Sequence, residues 1–531
     1  MIASKRQPFP THIMIRLQPL TRSKLYILTL GLTFITPIIR AASTLFEGGT
    51  VISFDESFQT PVVLQNMSLL VTDDRIAAIF DSDSQGDVVI PGDTERISAE
   101  GKILSPGFID THRHGWQTAF KTIASNTTLT EYAFRYGEDS PVESNFIPDD
   151  MYFGQIVGMW ESLNAGVTTV LDHAHGTFSN ETSTAYFKGS VDSGARVFWC
   201  YAIHDIPNGY SISDQMANFQ ELAHMNSDIS NSTVEMGIAY DGFSTASMEE
   251  LQSVMEFTRR PHRTSNISAL TTHYLGGPWI SSNSPQLLNT LNFLNTSFPI
   301  VFSHGSFLTT NDALLLRQFN QYLSITPESE MHYGHTHPHS ALVQDQAALG
   351  VDTHFTYSAD MVTQARLWLQ STRLKYYGQV IDQNWKIPSN NPMSVNQAFL
   401  LITRSGALSL RRPDLGVLTV GAKADIVVFD GNSPNLLGWS DAVAAIILHS
   451  NVGDIEQVMV DGQWRKRDGK LVAKENVNRD EANQQFLKSA RRIQGIWKDM
   501  ALPVLGEDSQ TGVPFGMALV QDVVRGNGTG Y

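Results

Sequence analysis

The residues best suited to chemistry in this sequence are histidines and one aspartate that stand where predicted β-strands end. His112 and His114 are two residues apart, and alternate residues of an extended strand face the same side. His273, His304 and Asp352 each end a later predicted strand. Imidazole and carboxylate groups together are suitable ligands for Zn²⁺ or Fe²⁺. The pattern therefore predicts a metal site built from these five side chains.

The elements that must position these residues are predicted to form an α/β barrel. Apolar strands alternate with helix-sized segments, which favours a TIM-like (β/α)₈ barrel. The eight predicted strands are residues 103–109, 167–171, 197–201, 236–239, 269–272, 300–302, 322–325 and 350–351. Because barrel enzymes build their sites at the carboxyl ends of the strands, we expect the five candidate ligands to meet there.

Short strands at both ends of the chain predict a second, smaller domain. Residues 45–97 alternate apolar runs with turns, and similar strands return at 424–429 and 457–472. Apolar residues at helical spacing predict a packing helix over 480–500. The expected division is a signal peptide at 1–42, a β-sandwich made from 43–102 and 408–475, the barrel at 103–407, and a C-terminal helix and tail at 476–531.

Composition and charge limit the class of partner. The 531 residues are 42% hydrophobic and 17% charged, which excludes a disordered or fibrous protein. The formal net charge of −16 argues against nucleic acid as a partner, because nucleic-acid-binding proteins carry a basic surplus. Cys200 is the only cysteine, so an intrachain disulfide and a cysteine-ligated zinc site are excluded. A small-molecule substrate is expected, and a homo-oligomer is compatible with the sequence.

The N-terminal residues have the features of a secretory signal peptide. Basic residues precede an apolar run over 25–39, and small residues follow at 41–43. The run is shorter than the roughly 20 residues that span a bilayer, so no stable membrane span is expected. The acceptor pattern Asn-x-Ser/Thr occurs at Asn66, Asn126, Asn180, Asn231, Asn266, Asn295 and Asn527. These features together predict a secreted, glycosylated protein.

Several motifs carry a family resemblance. They are the run Pro-Gly-Phe-Ile-Asp-Thr-His-Arg-His at 106–114, residues 166–173, residues 350–352 with 358–361, and residues 421–428 with 460–462. In order, they resemble the first, second and eighth strands and the closing β-domain of the amidohydrolase superfamily. The chain looks most like the branch of metal-dependent heterocycle deaminases and chlorohydrolases, which includes proteins similar to cytosine deaminase and S-adenosylhomocysteine deaminase. The resemblance runs from about residue 45 to 475.

This resemblance implies a metallo-barrel with a small β-sandwich made from both chain ends. It implies His112, His114, His273 and Asp352 as metal ligands, and His304 as a further ligand or a group that polarises the substrate. Binuclear relatives bridge two metals with a carboxylated lysine on strand four, and residues 234–241 contain no lysine. One divalent metal is therefore expected, with Zn²⁺ favoured and Fe²⁺ as the alternative.

One position departs from the deaminase pattern. Deaminases of this branch carry a proton-shuttling glutamate three residues after the fifth-strand histidine, and Gly276 stands there in this sequence. Asp352 is expected to accept the proton of the metal-activated water and to pass it to the leaving group. His354, two residues further on, is predicted to face the same mouth and to serve as the replacement acid.

Further histidines follow predicted strands, at His173, His175, His204, His332, His335, His337 and His339. The first two are candidates for a supporting role beside the ligands. His204, His332 and His335 are predicted to contact substrate, and the cluster after strand seven to cap the site or bind a second metal. Packing or a surface position is the alternative for each.

The residues and the resemblance favour a secreted, mononuclear metal-dependent amidohydrolase. It would hydrolyse a carbon–nitrogen bond other than a peptide bond, or a similar bond, in a small molecule, and His304 would steady the developing oxyanion. Three alternatives stay open: a heterocycle deaminase with a substitute proton shuttle, a metal-dependent lyase or decarboxylase, and a barrel that binds a ligand without catalysis.

Overall fold

The computed structural model describes residues 43–137, 140–260, 267–279, 282–501, 505–506 and 514–521. The predicted signal peptide and the acceptor residues Asn266 and Asn527 lie outside the described residues. Within the described ranges, none of the helices has both the length and the apolar character needed to cross a bilayer.

In the described part of the chain, seventeen strands form two sheets. They are β1 (Ser43–Asp55), β2 (Thr60–Thr72), β3 (Arg75–Asp81), β4 (Glu95–Ser98), β5 (Lys102–Pro106), β6 (Phe108–Arg113), β7 (Val167–Ala174), β8 (Arg196–Ala202), β9 (Val234–Ala239), β10 (Leu270–Tyr274), β11 (Ile300–His304), β12 (Tyr322–Ile325), β13 (Ala347–Leu349), β14 (Ile426–Asp430), β15 (Ile455–Val460), β16 (Gln463–Arg467) and β17 (Lys470–Leu471). Strands β6 to β13 form one sheet in sequence order, and the other nine form the second sheet.

The first of these sheets is a barrel. All its neighbouring strands are parallel. The two ends of the sheet meet where the amides of Val351 and Asp352 donate to the carbonyl of His112, at 3.1 and 2.7 Å. Ile109, Phe198 and other apolar side chains of the strands form a buried cluster, separate from the larger core between strands and helices. The predicted (β/α)₈ barrel is confirmed.

The second sheet is mixed and draws its strands from both ends of the chain. Its order is β17-β16-β15-β14-β5-β1-β2-β3, and β4 pairs with β1. The C-terminal strand β14 runs antiparallel to β5 and thus joins the two parts. This agrees with the predicted small β-domain built from both chain ends.

The predicted first strand, 103–109, is wrong in one respect, because the chain changes sheets within it. Residues up to Pro106 pair with β14 and β1, while Phe108 begins the pairing with β7. Gly107 stands between them, and a Cβ there would come within 2.1 Å of Thr168 Oγ1. The Pro106-Gly107 pair marks this break in the sequence.

The predicted eighth strand, 350–351, is also displaced. The strand is β13 (Ala347–Leu349); Gly350 to Asp352 follow it, and Asp352 forms an isolated parallel bridge with Arg113. A Cβ on Gly350 would lie 2.7 Å from the amide nitrogen of His112, so the chain passes too close to β6 for a side chain. Asp352 therefore lies beyond the end of β13, beside β6.

Among the residues that the structure describes, fourteen α-helices surround the sheets. They are α1 (Leu129–Arg135), α2 (Val142–Asn145), α3 (Pro148–Asn164), α4 (Asn180–Ser193), α5 (Ile212–Asp228), α6 (Met248–Arg259), α7 (Pro285–Thr290), α8 (Thr310–Phe319), α9 (Pro327–His332), α10 (Met361–Gly378), α11 (Val395–Leu401), α12 (Arg404–Ser409), α13 (Ala442–Ala444) and α14 (Arg479–Asp499). Shorter 3₁₀ turns lie at Gly115–Phe120, Gly242–Ser244, Gly277–Trp279, Ser340–Gln346 and Val452–Asp454, and π turns at Gln379–Gln383 and Ala445–His449.

The C-terminal helix predicted over 480–500 is present as α14. Its buried face includes Ala490, Ile493 and Trp497, which belong to the main hydrophobic core. The ring of Trp497 lies 4.9 Å from that of Phe120, centroid to centroid. This helix is thus a packing element, as its apolar spacing indicates.

Candidate metal centre

The first two candidate ligands, His112 and His114, lie at the carboxyl end of β6, where a β-bulge changes the direction of the side chains. The register between β6 and β7 shifts between Asp110 and Arg113. Such an extra residue turns the side chains that follow it. His112 and His114 are both buried, and their ring centroids are 4.8 Å apart.

Hydrogen bonds fix the orientation of both rings. His112 Nδ1 lies 2.8 Å from Ser303 Oγ, and His114 Nδ1 lies 3.0 Å from the carbonyl oxygen of His173. A nitrogen engaged in this way leaves Nε2 as the metal-binding atom. Burial lowers the pKa of His112 well below its usual range, so this ring is in the neutral form that binds metals.

Asp352 supplies the carboxylate. Its Oδ1 lies 3.4 Å from His112 Nε2 and 3.1 Å from His114 Nε2. Its Oδ2 accepts a hydrogen bond from Ser329 Oγ. Burial acts to raise the pKa of Asp352, but the adjacent His112 and His114 hold it well below its usual range. The carboxylate is therefore ionised.

His273 and His304 complete the predicted set from the neighbouring strands β10 and β11. Their ring centroids lie 4.9 and 5.2 Å from that of His112. His273 Nδ1 is 2.7 Å from Asp241 Oδ2, and His304 Nδ1 is 2.8 Å from Thr326 Oγ1. All five ligands predicted from strand ends thus come together.

The arrangement fits a divalent metal. Two groups of side chains, each with ligand atoms within 4.8 Å of one another, are His112 with His273 and His304, and His112 with His114 and Asp352. Tetrahedral zinc with bonds of about 2.0–2.1 Å separates its ligand atoms by about 3.3 Å, which is close to the contacts of Asp352. In the described part of the chain, the buried Nε2 of His112 has no hydrogen-bond partner, as expected of an atom reserved for a ligand.

Asp241 was missed by the sequence reasoning. It follows β9, and its Oδ1 accepts from the amide of His273 at 2.7 Å and from Thr272 Oγ1 at 2.9 Å. Its Oδ2 also lies 3.4 Å from His173 Nε2, which makes His173, Asp241 and His273 a third possible ligand group. Although burial acts to raise the pKa of Asp241, the two histidines lower it below its usual range. Asp241 stands two residues after β9, and its contact with the histidine of the next strand depends on strand pairing that the sequence alone does not display.

Two other histidines at strand ends lie near the centre. The ring of His175 is 4.2 Å from that of His114, centroid to centroid, and is buried. His204 is half-buried, and its Nε2 lies 3.4 Å from Thr177 Oγ1. Neither belongs to the three ligand groups found among the described residues.

The histidine cluster after strand seven divides into separate positions. His335 is buried, and its ring lies 4.8 Å from that of His304. His337 Nδ1 is 3.1 Å from Glu330 Oε2, whereas the ring of His332 packs 4.8 Å from that of Tyr333. Of the two members predicted to contact substrate, His335 is thus the one beside a candidate ligand.

The placement of His354 requires a correction. Its Nε2 lies 2.8 Å from Thr118 Oγ1 and packs against Gly158 of α3. The same Gly158 accepts a hydrogen bond from Arg113, whose side chain alternates with those of His112 and His114. His354 therefore lies behind β6 rather than in the barrel mouth, because the chain turns away directly after Asp352.

This set of groups is suited to hydrolysis. Neutral imidazoles can hold a metal, an ionised carboxylate stands directly beside them, and hydrogen bonds fix the rings before any substrate arrives. Such preorganised polar groups in a buried site act strongly on a developing charge.

Comparison with known proteins gives relatives for this architecture. The model of the amidohydrolase family matches residues 103–465. A 5-methylthioadenosine/S-adenosylhomocysteine deaminase from Thermococcus sibiricus is 25% identical over 69% of this chain and 83% of its own length. A 5'-deoxyadenosine deaminase from Methanobrevibacter smithii is 24% identical over 76% of this chain and 89% of its own.

Solved structures share the fold at lower identity. A zinc-bound adenosine deaminase from Xanthomonas campestris has a TM-score of 0.70 at 17% identity, covering 86% of this chain and 99% of that one. A zinc-bound atrazine chlorohydrolase from Arthrobacter aurescens has a TM-score of 0.66 at 17% identity, covering 84% of this chain and all of that one. At this identity the likeness is one of fold.

Proposed function

The chain belongs to the amidohydrolase family, as a metal-dependent hydrolase of non-peptide carbon–nitrogen bonds, and we propose that it removes an amino group from a small nitrogen heterocycle. The observation that carries this proposal is the ionised Asp352 carboxylate. It lies 3.4 Å from His112 Nε2 and 3.1 Å from His114 Nε2, and the Nδ1 atom of each ring is held by a hydrogen bond. Adenine nucleosides are the first class to test, because the relatives above are named for deaminating them.

We propose a single Zn²⁺ held by His112, His114, His273 and Asp352, with His304 beside it. When bound, the ion supplies Lewis acidity and lowers the pKa of a water towards neutrality. The contact of 2.7 Å between Asp241 and His273 Nδ1 has the length of a hydrogen bond, so Asp241 acts as an orienting carboxylate rather than a ligand.

The chain's own residues handle the proton and the developing charge. Asp352 accepts a proton from the attacking water at its carboxylate, and the water oxygen bonds to the electron-poor carbon. His304 stabilises the charge that develops in the ring. The carbon–nitrogen bond then breaks, the proton goes to the departing nitrogen, and ammonia leaves. One water is consumed for each ammonia formed.

Gly276 favours a second candidate, hydrolytic displacement of a leaving group that needs no separate acid, such as chloride from a heterocycle. No side chain is available at this position to protonate an amine. The two candidates differ in the product released, so one assay separates them.

The test is a zinc-loaded preparation assayed for ammonia and chloride release. The panel contains adenosine, 5'-deoxyadenosine, 5'-methylthioadenosine, cytosine, guanine and chlorotriazines, with cyclic amides as a further class. Ammonia release from an aminoheterocycle, abolished by a chelator and restored by Zn²⁺, is expected. Absence of metal-dependent hydrolysis across the panel would reject the proposal.

We also propose that the protein is secreted and glycosylated. The basic and apolar N-terminal segment supports export, and five acceptor asparagines in the described residues are solvent-exposed, at Asn66, Asn126, Asn180, Asn231 and Asn295. An exposed acceptor is the position that a glycan requires.

A further inference from the structure

The loop after β10 contains Gly276, which contributes no side chain to the barrel mouth. Gly276 has φ of 73°, a conformation that side chains rarely adopt. A Cβ there would lie 3.3 Å from the Tyr274 ring and 3.4 Å from Phe307 Cβ. An acidic side chain at this position would be strained, so another element has to supply the polar group.

The neighbouring loop after β11 is joined to this loop. The amide of Phe307 donates to the carbonyl of Leu275 at 2.9 Å. The preceding residue, Ser306, is fully buried, and its Oγ lies 3.3 Å from Nδ1 of His335. His335 is thus anchored on the loop that packs against Gly276.

The ring of His335 stands between the candidate ligands and the wall of the mouth. It meets the His304 ring edge to face, at an interplanar angle of 85°, and the two ring centroids are 4.8 Å apart. The centroid of the ring of Trp279, three residues after Gly276, lies 6.4 Å from that of His335. His335 is therefore next to His304, one of the candidate ligands.

One ring atom of His335 has an unmet hydrogen-bonding capacity. Only 1% of the residue is exposed, and within the described residues its Nε2 has no hydrogen-bond partner. A buried polar atom left in this state is costly, and in functional sites it commonly marks the place of a ligand group. The imidazole can donate or accept at this atom.

We propose that His335 Nε2 forms the hydrogen bond to the departing nitrogen of the substrate, in place of the side chain that Gly276 lacks. This inference rests on the proposed hydrolysis at the metal centre and assigns a substrate-contacting residue to it. Other nearby groups are less suitable. His354 is engaged behind β6, and Glu330 accepts from the amide of Thr326 at 3.0 Å and faces His337.

The test compares His335→Phe, His335→Gln and the control His339→Gln. His339 is an exposed histidine four residues further along, whose Nδ1 lies 3.1 Å from the carbonyl of Leu308. Bound zinc and the melting temperature of each protein are measured first. The zinc-loaded proteins are then assayed for kcat and KM on the best substrate of the panel.

A binding measurement gives a readout without turnover. Metal-free wild type and variants are titrated by calorimetry with adenosine and with purine riboside, which lacks the amino group. We expect wild type and His339→Gln to prefer adenosine, His335→Gln to keep part of this preference, and His335→Phe to lose it. With zinc content unchanged, kcat/KM of His335→Phe is expected to fall about 10²-fold, the usual size of such an interaction in catalysis.

The failures of the two proposals are distinguishable. The assignment of His335 is overturned if wild type hydrolyses a panel member and His335→Phe keeps the wild-type kcat/KM. It is also overturned if wild type does not prefer adenosine, or if His335→Phe keeps this preference. In these cases the proposed hydrolase function still stands. If zinc-loaded wild type hydrolyses nothing in the panel, the proposed function fails and the substrate contact fails with it.

Discussion

Two residues of the metal centre have a backbone conformation that L-amino acids rarely adopt. His304 has φ of 75° and Asp352 has φ of 69°, although neither is a glycine. Each such residue costs on the order of 1–3 kcal/mol and persists only where the surroundings enforce it. Here the enforcing contacts are hydrogen bonds, from Ser329 to Asp352 and between His304 and Thr326. The fold thus holds both side chains in one orientation before substrate binds.

Asp352→Asn should remove nearly all turnover while the protein stays folded. The amide can still accept a hydrogen bond from Ser329 but cannot accept the water's proton, so we expect kcat to fall by about 10²- to 10⁴-fold. Kinetics should be measured alongside bound zinc and the melting temperature. A variant that retains zinc and most of its activity would show that another group is the base.

Asp241→Asn should weaken metal binding through His273. The asparagine oxygen can still accept from the amide of His273, but the negative charge that orients the ring is lost. Loss of such a partner typically lowers metal affinity by about 10- to 100-fold. Competition with a chelator measures the affinity, and Thr272→Val, which removes only the hydroxyl that donates to Asp241, is the matched control.

Metal analysis of the same variant also tests the metal count. If wild type binds two zinc ions and Asp241→Asn loses one of them, then His173, Asp241 and His273 form a second site, and the single-metal proposal is wrong.

The histidines could be predicted from sequence and Asp241 could not, for a physical reason. His112, His273 and His304 are marked by the apolar strands that they end. Asp241 lies two residues beyond β9, and its role depends on a contact with the next strand that no local pattern encodes. His354 was predicted wrongly. Its spacing of two residues from Asp352 predicted that both side chains face the barrel mouth, but the chain turns after Asp352 and His354 contacts Thr118 instead.

At the level of strands and helices, apolar runs predicted where the elements lie but not where the chain passes from one sheet to another. Pairing partners decide that point: residues up to Pro106 pair with β14, and Phe108 pairs with β7. The helix α14 was predicted accurately because a long segment with one apolar face leaves little ambiguity.

An ion cluster joins the barrel to the small sheet and is open to test. Arg196 on β8 is buried and contacts Asp425 at 3.0 Å and Asp461 at 2.7 Å. Arg196→Met leaves buried Asp425 without its cation, which should lower the free energy of unfolding by about 3–5 kcal/mol. Urea unfolding measures this change.

The control for that measurement is Arg260→Met. Arg260 and Glu256 form an ion pair of 3.0 Å on α6 and the residue after it, and both side chains are largely exposed. Exposed pairs contribute about 0–1 kcal/mol, so little change is expected. Equal effects of the two substitutions would mean that the buried cluster does not stabilise the junction of the sheets.

For the molecule as a whole, the barrel positions the metal centre, and the exposed acceptor asparagines are the features relevant to the proposed export. A single cysteine excludes an intrachain disulfide, so the stability of the fold depends on its large hydrophobic core. Of the seven acceptor sites, the five in the described residues are exposed; Asn66 lies on β2, and the other four lie in separate loops, turns or helix starts. Glycans at these positions would leave the barrel core intact.

Expression of the full chain in a eukaryotic host tests export directly. We expect the protein in the medium, with an N-terminus between residues 41 and 45 and a loss of mass on enzymatic deglycosylation, because the apolar segment is followed by small residues suited to cleavage. Asn295→Gln should remove one glycan and leave kcat unchanged, since this side chain is exposed after α7, on the barrel's outer surface. Edman sequencing and mass spectrometry give both readouts. An intact Met1 on an unmodified intracellular product would reject export, and the hydrolase would then act on substrates inside the cell.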